Sequence, residues 1–80
     1  MLKEKIKQHI QSNLANSDIK IFTNDDKHFN IIIISDLFKD KTLIERQRII
    51  YDSIGQYIIS GEVHAVSLKT STNEEWIKEN

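Results

Sequence analysis

The chain has 80 residues and a formal net charge of -1, which predicts one domain over residues 1–80 and argues against charge-driven binding of nucleic acid by the whole surface. Cysteine is absent, so disulfides, thiolate metal sites and cysteine nucleophiles are excluded. The longest apolar run, Ile31 to Ile34, is too short to cross a membrane, and the first residues lack a secretory signal. We therefore expect a cytoplasmic protein.

The first half of the chain predicts a helix and a β-hairpin. The helix runs from Leu2 to Ala15, and its apolar residues recur every four positions along one face: Leu2, Ile6, Ile10 and Leu14. Ile19 to Thr23 alternates as a strand does, Asn24 to Lys27 is a polar turn, and His28 to Ser35 is a second strand. The short turn predicts antiparallel pairing, and the four isoleucines favour a central strand.

The middle of the chain predicts a loop and a long helix. The loop spans Asp36 to Lys41, with Leu37 and Phe38 as its apolar anchors. Thr42 begins the helix, because a Glu three residues later completes a capping box, and the helix ends near Ile59. The predicted inner stripe of this helix comprises Leu43, Gln47, Ile50, Tyr51, Ile54 and Ile58. Gly55, which is unfavourable by about 1 kcal/mol relative to alanine, suggests a kink or a close approach to the sheet.

The last part of the chain predicts a third strand, Glu62 to Thr70, preceded by Gly61 as a left-handed helix cap. A second capping box, Thr72 to Glu75, begins a short final helix. The order is α-β-β-α-β-α, and a right-handed crossover makes the third strand parallel to the second. We expect an α+β fold with a three-stranded mixed sheet and helices packed on one face. Isoleucines on the other face would be an exposed docking surface, or the C-terminal helix would cover them.

Motifs of catalysis are missing from the sequence. It contains no GxSxG, HExxH, P-loop or GxGxxG pattern. The paired carboxylates Asp25-Asp26 and Glu74-Glu75 fall in a turn and at a helix start, where solvation and the helix dipole explain them. We therefore expect that the protein is not an enzyme.

Two of the three histidines fall at predicted strand starts. His28 opens the second strand and His64 opens the third, so parallel pairing places both at the same end of the sheet. Imidazole binds borderline metals, but two ligands are too few for a tight site. The pair would therefore be half a metal site that a partner completes, and ordinary structural roles are the alternative. His9 lies beside the apolar stripe of the first helix and is interpreted as a surface residue.

Basic residues gather around the start of the long helix. They are Lys39, Lys41, Arg46 and Arg48, interrupted by acidic residues. Arg46 and Arg48 are two apart and do not share a helix face. A solvated surface is the simpler interpretation, and a weak nucleic-acid contact through Lys41, Arg46 and Arg48 is the other.

Several segments resemble conserved stretches of BolA-like proteins, in order and over nearly the whole chain. The most specific are Val63 to Thr70, which is similar to their His-Ala strand, and Thr72 to Trp76, which is similar to the Thr-x-x-x-Trp that follows. The other similar segments are His28 to Asn30, Ser35 to Phe38 and Arg46 to Tyr51. The short turn before His28 resembles the IbaG-type branch of the family more than BolA itself.

The resemblance implies a class II KH-like fold and a role in iron-sulfur cluster assembly or trafficking. BolA-like proteins pair with monothiol glutaredoxins and share a [2Fe-2S] cluster, for which the glutaredoxin and glutathione supply thiolates. By position, the resemblance implies His64 as a cluster ligand and His28 as a second one. The isolated chain would bind no cluster and would be a monomer or a weak homodimer, with no membrane association.

The resemblance also leaves a DNA-binding regulator as the alternative. KH domains grip the nucleic-acid backbone with a GxxG loop. This sequence contains no GxxG, so DNA would have to be contacted by the helix that carries Arg46 and Arg48.

Overall fold

The elements of the chain occur in the predicted order. A computed structural model describes residues 2–79. A 3-10 turn at Asp36–Phe38 lies between the second strand and the long helix. The helices and strands are α1 (Leu2–Asn13), β1 (Asp18–Thr23), β2 (His28–Ile34), α2 (Leu43–Ile59), β3 (Ala65–Ser71) and α3 (Asn73–Glu79).

The sheet has the order β1-β2-β3, with β2 in the centre. β1 and β2 are antiparallel, and β3 is parallel to β2, so the predicted mixed sheet is confirmed. The register places His28 opposite Ala65 and Ile34 opposite Ser71. The starts of β2 and β3 therefore lie at the same end of the sheet.

The core lies between the sheet and the two long helices. α1 contributes Ile6 and Ile10, and α2 contributes Ile50 and Ile54, all with no exposed surface. The sheet contributes alternate residues from β1 and β2: Ile19, Ile21, Phe29, Ile31 and Ile33. Their alternation with exposed neighbours in β1 is the pattern of a strand with one face on a core.

The short helix α3 lies against the other face of the sheet. Lys20 and Lys69 both flank Ile32 on this face, and both contact α3. The Lys20 ammonium lies 5.4 Å from the centre of the Trp76 ring, and the Lys69 Nζ lies 2.5 Å from a carboxylate oxygen of Glu79. Ile34 on the same face is 3% exposed. The apolar side of β2 is thus only partly open.

The start of the third strand was predicted three residues too early. The backbone N–H of Val63 donates to the Tyr57 carbonyl at the end of α2, at 3.0 Å. The N–H groups of His64 and Ala65 both donate to the Lys27 carbonyl, at 2.8 and 3.2 Å. Because the N–H groups of Val63 and His64 bond to a helix end and a turn, the strand begins only at Ala65, and His64 immediately precedes it.

The predicted inner face of α2 was partly wrong. Its buried residues are Ile50, Ser53, Ile54 and Tyr57. Three members of the predicted stripe, Leu43, Tyr51 and Ile58, are exposed. Apolar residues surround this helix on several sides, so periodicity alone did not fix the face. The Ser53 hydroxyl accepts a hydrogen bond from the Asn13 amide of α1 at 2.6 Å, which accounts for a polar residue facing inward.

Both predicted capping boxes are present, and Gly61 has the left-handed φ of 84° expected after a helix. The close approach of α2 to the sheet that was predicted at Gly55 is wrong. α2 is continuous through this position, and a Cβ added there would meet nothing within 4 Å.

Replacing Gly55 with alanine is expected to stabilise the protein by about 0.5–1 kcal/mol, because alanine loses less backbone entropy in a helix. Thermal unfolding followed by circular dichroism should show a rise in Tm of a few degrees (about 4–8 °C per kcal/mol at this size). Gly61→Ala is the matched control and should lower Tm, since its φ disfavours side chains. A lower Tm for Gly55→Ala would contradict the open surroundings of this residue.

Candidate metal-ligating site

The structure brings His28 and His64 together at one end of the sheet. His28 is the first residue of β2 and lies opposite Ala65, the residue after His64. The two imidazole rings have their centres 6.2 Å apart and stand nearly perpendicular, at 78°. Two histidines that are distant in sequence thus form one pair of neighbouring imidazoles.

The backbone of His64 is hydrogen-bonded, whereas its ring nitrogens are not. Its side chain is exposed, while its N–H donates to the Lys27 carbonyl at 2.8 Å. Within residues 2–79, neither ring nitrogen of His64 has a hydrogen-bond partner. Both nitrogens are therefore accessible to a metal ion or to a partner protein.

His28 is held by Asp25 from the turn before β2. One carboxylate oxygen, Oδ1, accepts the backbone N–H groups of Lys27 and His28, each at 2.9 Å. The other, Oδ2, lies 2.7 Å from the His28 Nδ1. The backbone N–H of His28, followed by its ring, holds the pKa of the Asp25 carboxyl far below its ordinary value. The side chain of His28 is still 65% exposed.

The donor set is incomplete for a metal centre. Among residues 2–79, no three His, Cys, Asp or Glu side chains are grouped so that they could hold a metal ion. Structural sites of a borderline metal need about four ligands. The His28–His64 pair can therefore supply part of a ligand set, and further ligands would come from another molecule.

Of the three predicted basic contact residues, Arg46 is engaged within the domain. The Arg46 side chain is 11% exposed, and its Nε and Nη1 donate to the carbonyls of Lys41 and Thr70, at 3.0 and 3.3 Å. Both of its terminal nitrogens donate to the Glu75 carboxylate, at 2.7 and 3.1 Å. Lys41 and Arg48, the other two predicted contact residues, are exposed. Arg46 therefore ties α2 to β3 and α3, and little of it is left for a phosphate.

Asp25 is the site residue that sequence reasoning missed, because its carboxylate was assigned to turn solvation. The signal that could have revealed its role is the spacing: an Asp lies three residues before a His at the start of a strand. The Asp accepts the turn N–H groups with one oxygen and so aims the other at the His ring.

Fold and site together define a small α+β domain of order α-β-β-α-β-α that exposes two imidazoles at one end of its sheet. Residues 2–75 match the family model described as "BolA: BolA-like protein". The chain belongs to the BolA-like family. The predicted family resemblance is thereby confirmed.

Individual relatives agree with this assignment. A protein of Buchnera aphidicola subsp. Schizaphis graminum is 36% identical over 78 residues, covering 98% of this chain and 96% of the relative. The acid stress protein IbaG of Escherichia coli K12 is 32% identical over 57 residues, covering 71% and 68% of the two chains.

Solved structures show the same fold. BolA1 from Arabidopsis thaliana superposes with a TM-score of 0.79 at 26% identity, covering 90% of this chain and 92% of that one. A BolA homologue from Coxiella burnetii gives a TM-score of 0.73 at 31% identity, covering 92% and 94%.

None of the helices within residues 2–79 has the length and apolar character that a membrane span requires.

Proposed function

We propose that the protein is a cytoplasmic, non-enzymatic adaptor that shares a [2Fe-2S] cluster with a monothiol glutaredoxin and its glutathione, using His64 and His28 as ligands. The observation that carries the proposal is the exposed imidazole pair, with ring centres 6.2 Å apart, in a chain without cysteine. On its own the chain binds no cluster and is a monomer or a weak homodimer.

The chemistry of the donors supports this role. [2Fe-2S] clusters rest on thiolates, so a chain without cysteine must take them from a partner. Imidazole can replace thiolate on one iron, as in Rieske centres, and it raises the reduction potential because negative charge is removed. Protons compete with the metal for imidazole, so the release of a cluster held by imidazole is sensitive to pH near neutrality. These properties suit transfer of a cluster better than its storage.

The experiment mixes the protein with cluster-loaded monothiol glutaredoxin and records visible circular dichroism. The wild type should change the cluster spectrum, His64→Ala should abolish that change, and His28→Ala should reduce it. His9→Ala is the matched control, because His9 lies on α1 and contacts Gln56 and Tyr57 of α2. Its spectrum should match that of the wild type.

Two outcomes would count against the proposal. One is an unchanged cluster spectrum with the wild-type protein. The other is a full spectral change with His64→Ala, provided that the variant keeps the far-ultraviolet spectrum of the folded chain. The DNA-binding alternative has no structural observation in its favour, since Arg46 is engaged within the domain.

A further inference from the structure

We propose that Asp25 is a positioning residue that keeps the His28 proton on Nδ1, so that Nε2 is the atom that meets a metal. The inference deepens the proposed function and depends on it only for the role of His28 as a ligand. Metal-bound histidines in proteins commonly donate their second ring N–H to a carboxylate, which fixes both the tautomer and the ring direction. The Asp25–His28 contact has this form, with Nδ1 and Oδ2 2.7 Å apart.

The direction of the hydrogen bond follows from the state of the carboxylate. Aspartate is ordinarily ionised near neutral pH, the Asp25 Oδ1 accepts two backbone N–H groups, and an ionised carboxylate has no proton to donate. The His28 Nδ1, 2.7 Å from Oδ2, must therefore be the donor. In a neutral imidazole only one nitrogen carries a proton, so Nε2 then has a free lone pair.

The carboxylate is itself fixed by the turn. Its second oxygen accepts two backbone N–H groups, from Lys27 and from His28 itself. A rotation of Asp25 away from the ring would break these bonds as well. The Asp25 carboxylate therefore fixes the orientation of the His28 ring. Among residues 2–79, no carboxylate contacts the ring of His64 in this way.

Asp25→Asn tests this assignment with little change in shape. The asparagine oxygen can still accept the turn N–H groups, but the amide nitrogen that replaces Oδ2 can only donate. A donor facing Nδ1 favours the opposite tautomer, with the proton on Nε2. Asp26→Asn is the matched control, because it removes the same charge from the same turn and asparagine tolerates its φ of 58°.

The first measurement is the tautomer of each histidine in the protein without metal, from long-range proton–nitrogen NMR spectra at mildly alkaline pH. Wild type and Asp26→Asn should show His28 protonated on Nδ1, and Asp25→Asn should shift the proton to Nε2. The signals of His9 and His64 should stay unchanged. The same His28 tautomer in wild type and Asp25→Asn would overturn the proposal.

The second measurement is calorimetric titration with Ni²⁺ alone, at a pH where the rings are neutral. Asp25→Asn should weaken Ni²⁺ binding about tenfold, the lower end of what loss of such a supporting carboxylate produces. Asp26→Asn should change it much less. Equal weakening by both variants would overturn the proposal, because charge alone would then explain the loss.

The two proposals fail in distinguishable ways. If wild-type protein leaves the spectrum of cluster-loaded glutaredoxin unchanged, the proposed function fails while the tautomer result still stands. If that spectrum changes but Asp25→Asn leaves the His28 tautomer and Ni²⁺ affinity as in wild type, only the role of Asp25 fails.

Discussion

Phe38→Ala is expected to destabilise the domain by about 3–5 kcal/mol, the range for a buried phenylalanine whose removal leaves a cavity. Phe38 ends the 3-10 turn between β2 and α2 and has no exposed surface. Its ring belongs to the core cluster and lies 5.7 Å from the Arg46 guanidinium carbon. For a domain of 80 residues this loss is a large part of the total stability.

Leu37→Ala is the matched control in the same turn. The Leu37 side chain is 51% exposed, so its truncation should change the free energy of unfolding by less than about 1 kcal/mol. Urea titration of both variants at equal protein concentration measures the difference in midpoint. Similar losses for the two residues would show that Phe38 does not occupy the core as described.

Arg46→Ala is expected to destabilise the domain by about 1–3 kcal/mol, because it leaves carbonyl acceptors without their donor and removes a packed side chain. The guanidinium bonds at once to Lys41 in the loop before α2, to Thr70 of β3 and to Glu75 of α3. Arg48→Ala removes an exposed charge from the same helix and should stay within about 0.5 kcal/mol of wild type. Denaturant titration of the pair measures this contrast, and equal stability of both variants would contradict it.

The ion pair between Arg46 and Glu75 predicts that the stability of the domain depends on pH. The Arg46 guanidinium, followed by the Thr72 backbone N–H, lowers the pKa of Glu75 from 4.5 to about 2. A carboxyl with a lowered pKa in the folded state stabilises the fold above its unfolded pKa, and this is lost as pH falls through the folded value. The stability difference between wild type and Arg46→Ala should therefore shrink between pH 4.5 and pH 2, which acid titration of both proteins measures.

The loss of stability expected for Arg46→Ala complicates a test of nucleic-acid binding. A weaker DNA complex with Arg46→Ala would follow from unfolding as readily as from removal of a group that binds phosphate. Arg48→Ala and Lys41→Ala remove exposed charges without that effect, so only they measure binding itself. For each side chain that truly binds a phosphate, its removal should reduce the salt dependence of the affinity by about one unit of slope.

The sequence by itself determined the order of elements and the topology of the sheet. The four-residue period of α1 and the capping boxes at Thr42 and Thr72 are local signals, because each involves contacts within about one helical turn. The crossover rule then made β3 parallel to β2. That rule also placed His28 and His64 at one end of the sheet, so the centre of the candidate site could be predicted without coordinates.

Tertiary structure alone decided which side chains are engaged in contacts within the domain and which remain exposed. In the sequence Arg46 cannot be told apart from its exposed neighbour Arg48, because its partner Glu75 lies 29 residues away. The contact between Arg46 and Glu75 buries the arginine and lowers the pKa of the glutamate. The inner face of α2 was likewise set by its packing against α1, since apolar residues occur all round that helix. Such contacts join segments whose relative position depends on the whole fold, and no local pattern encodes them.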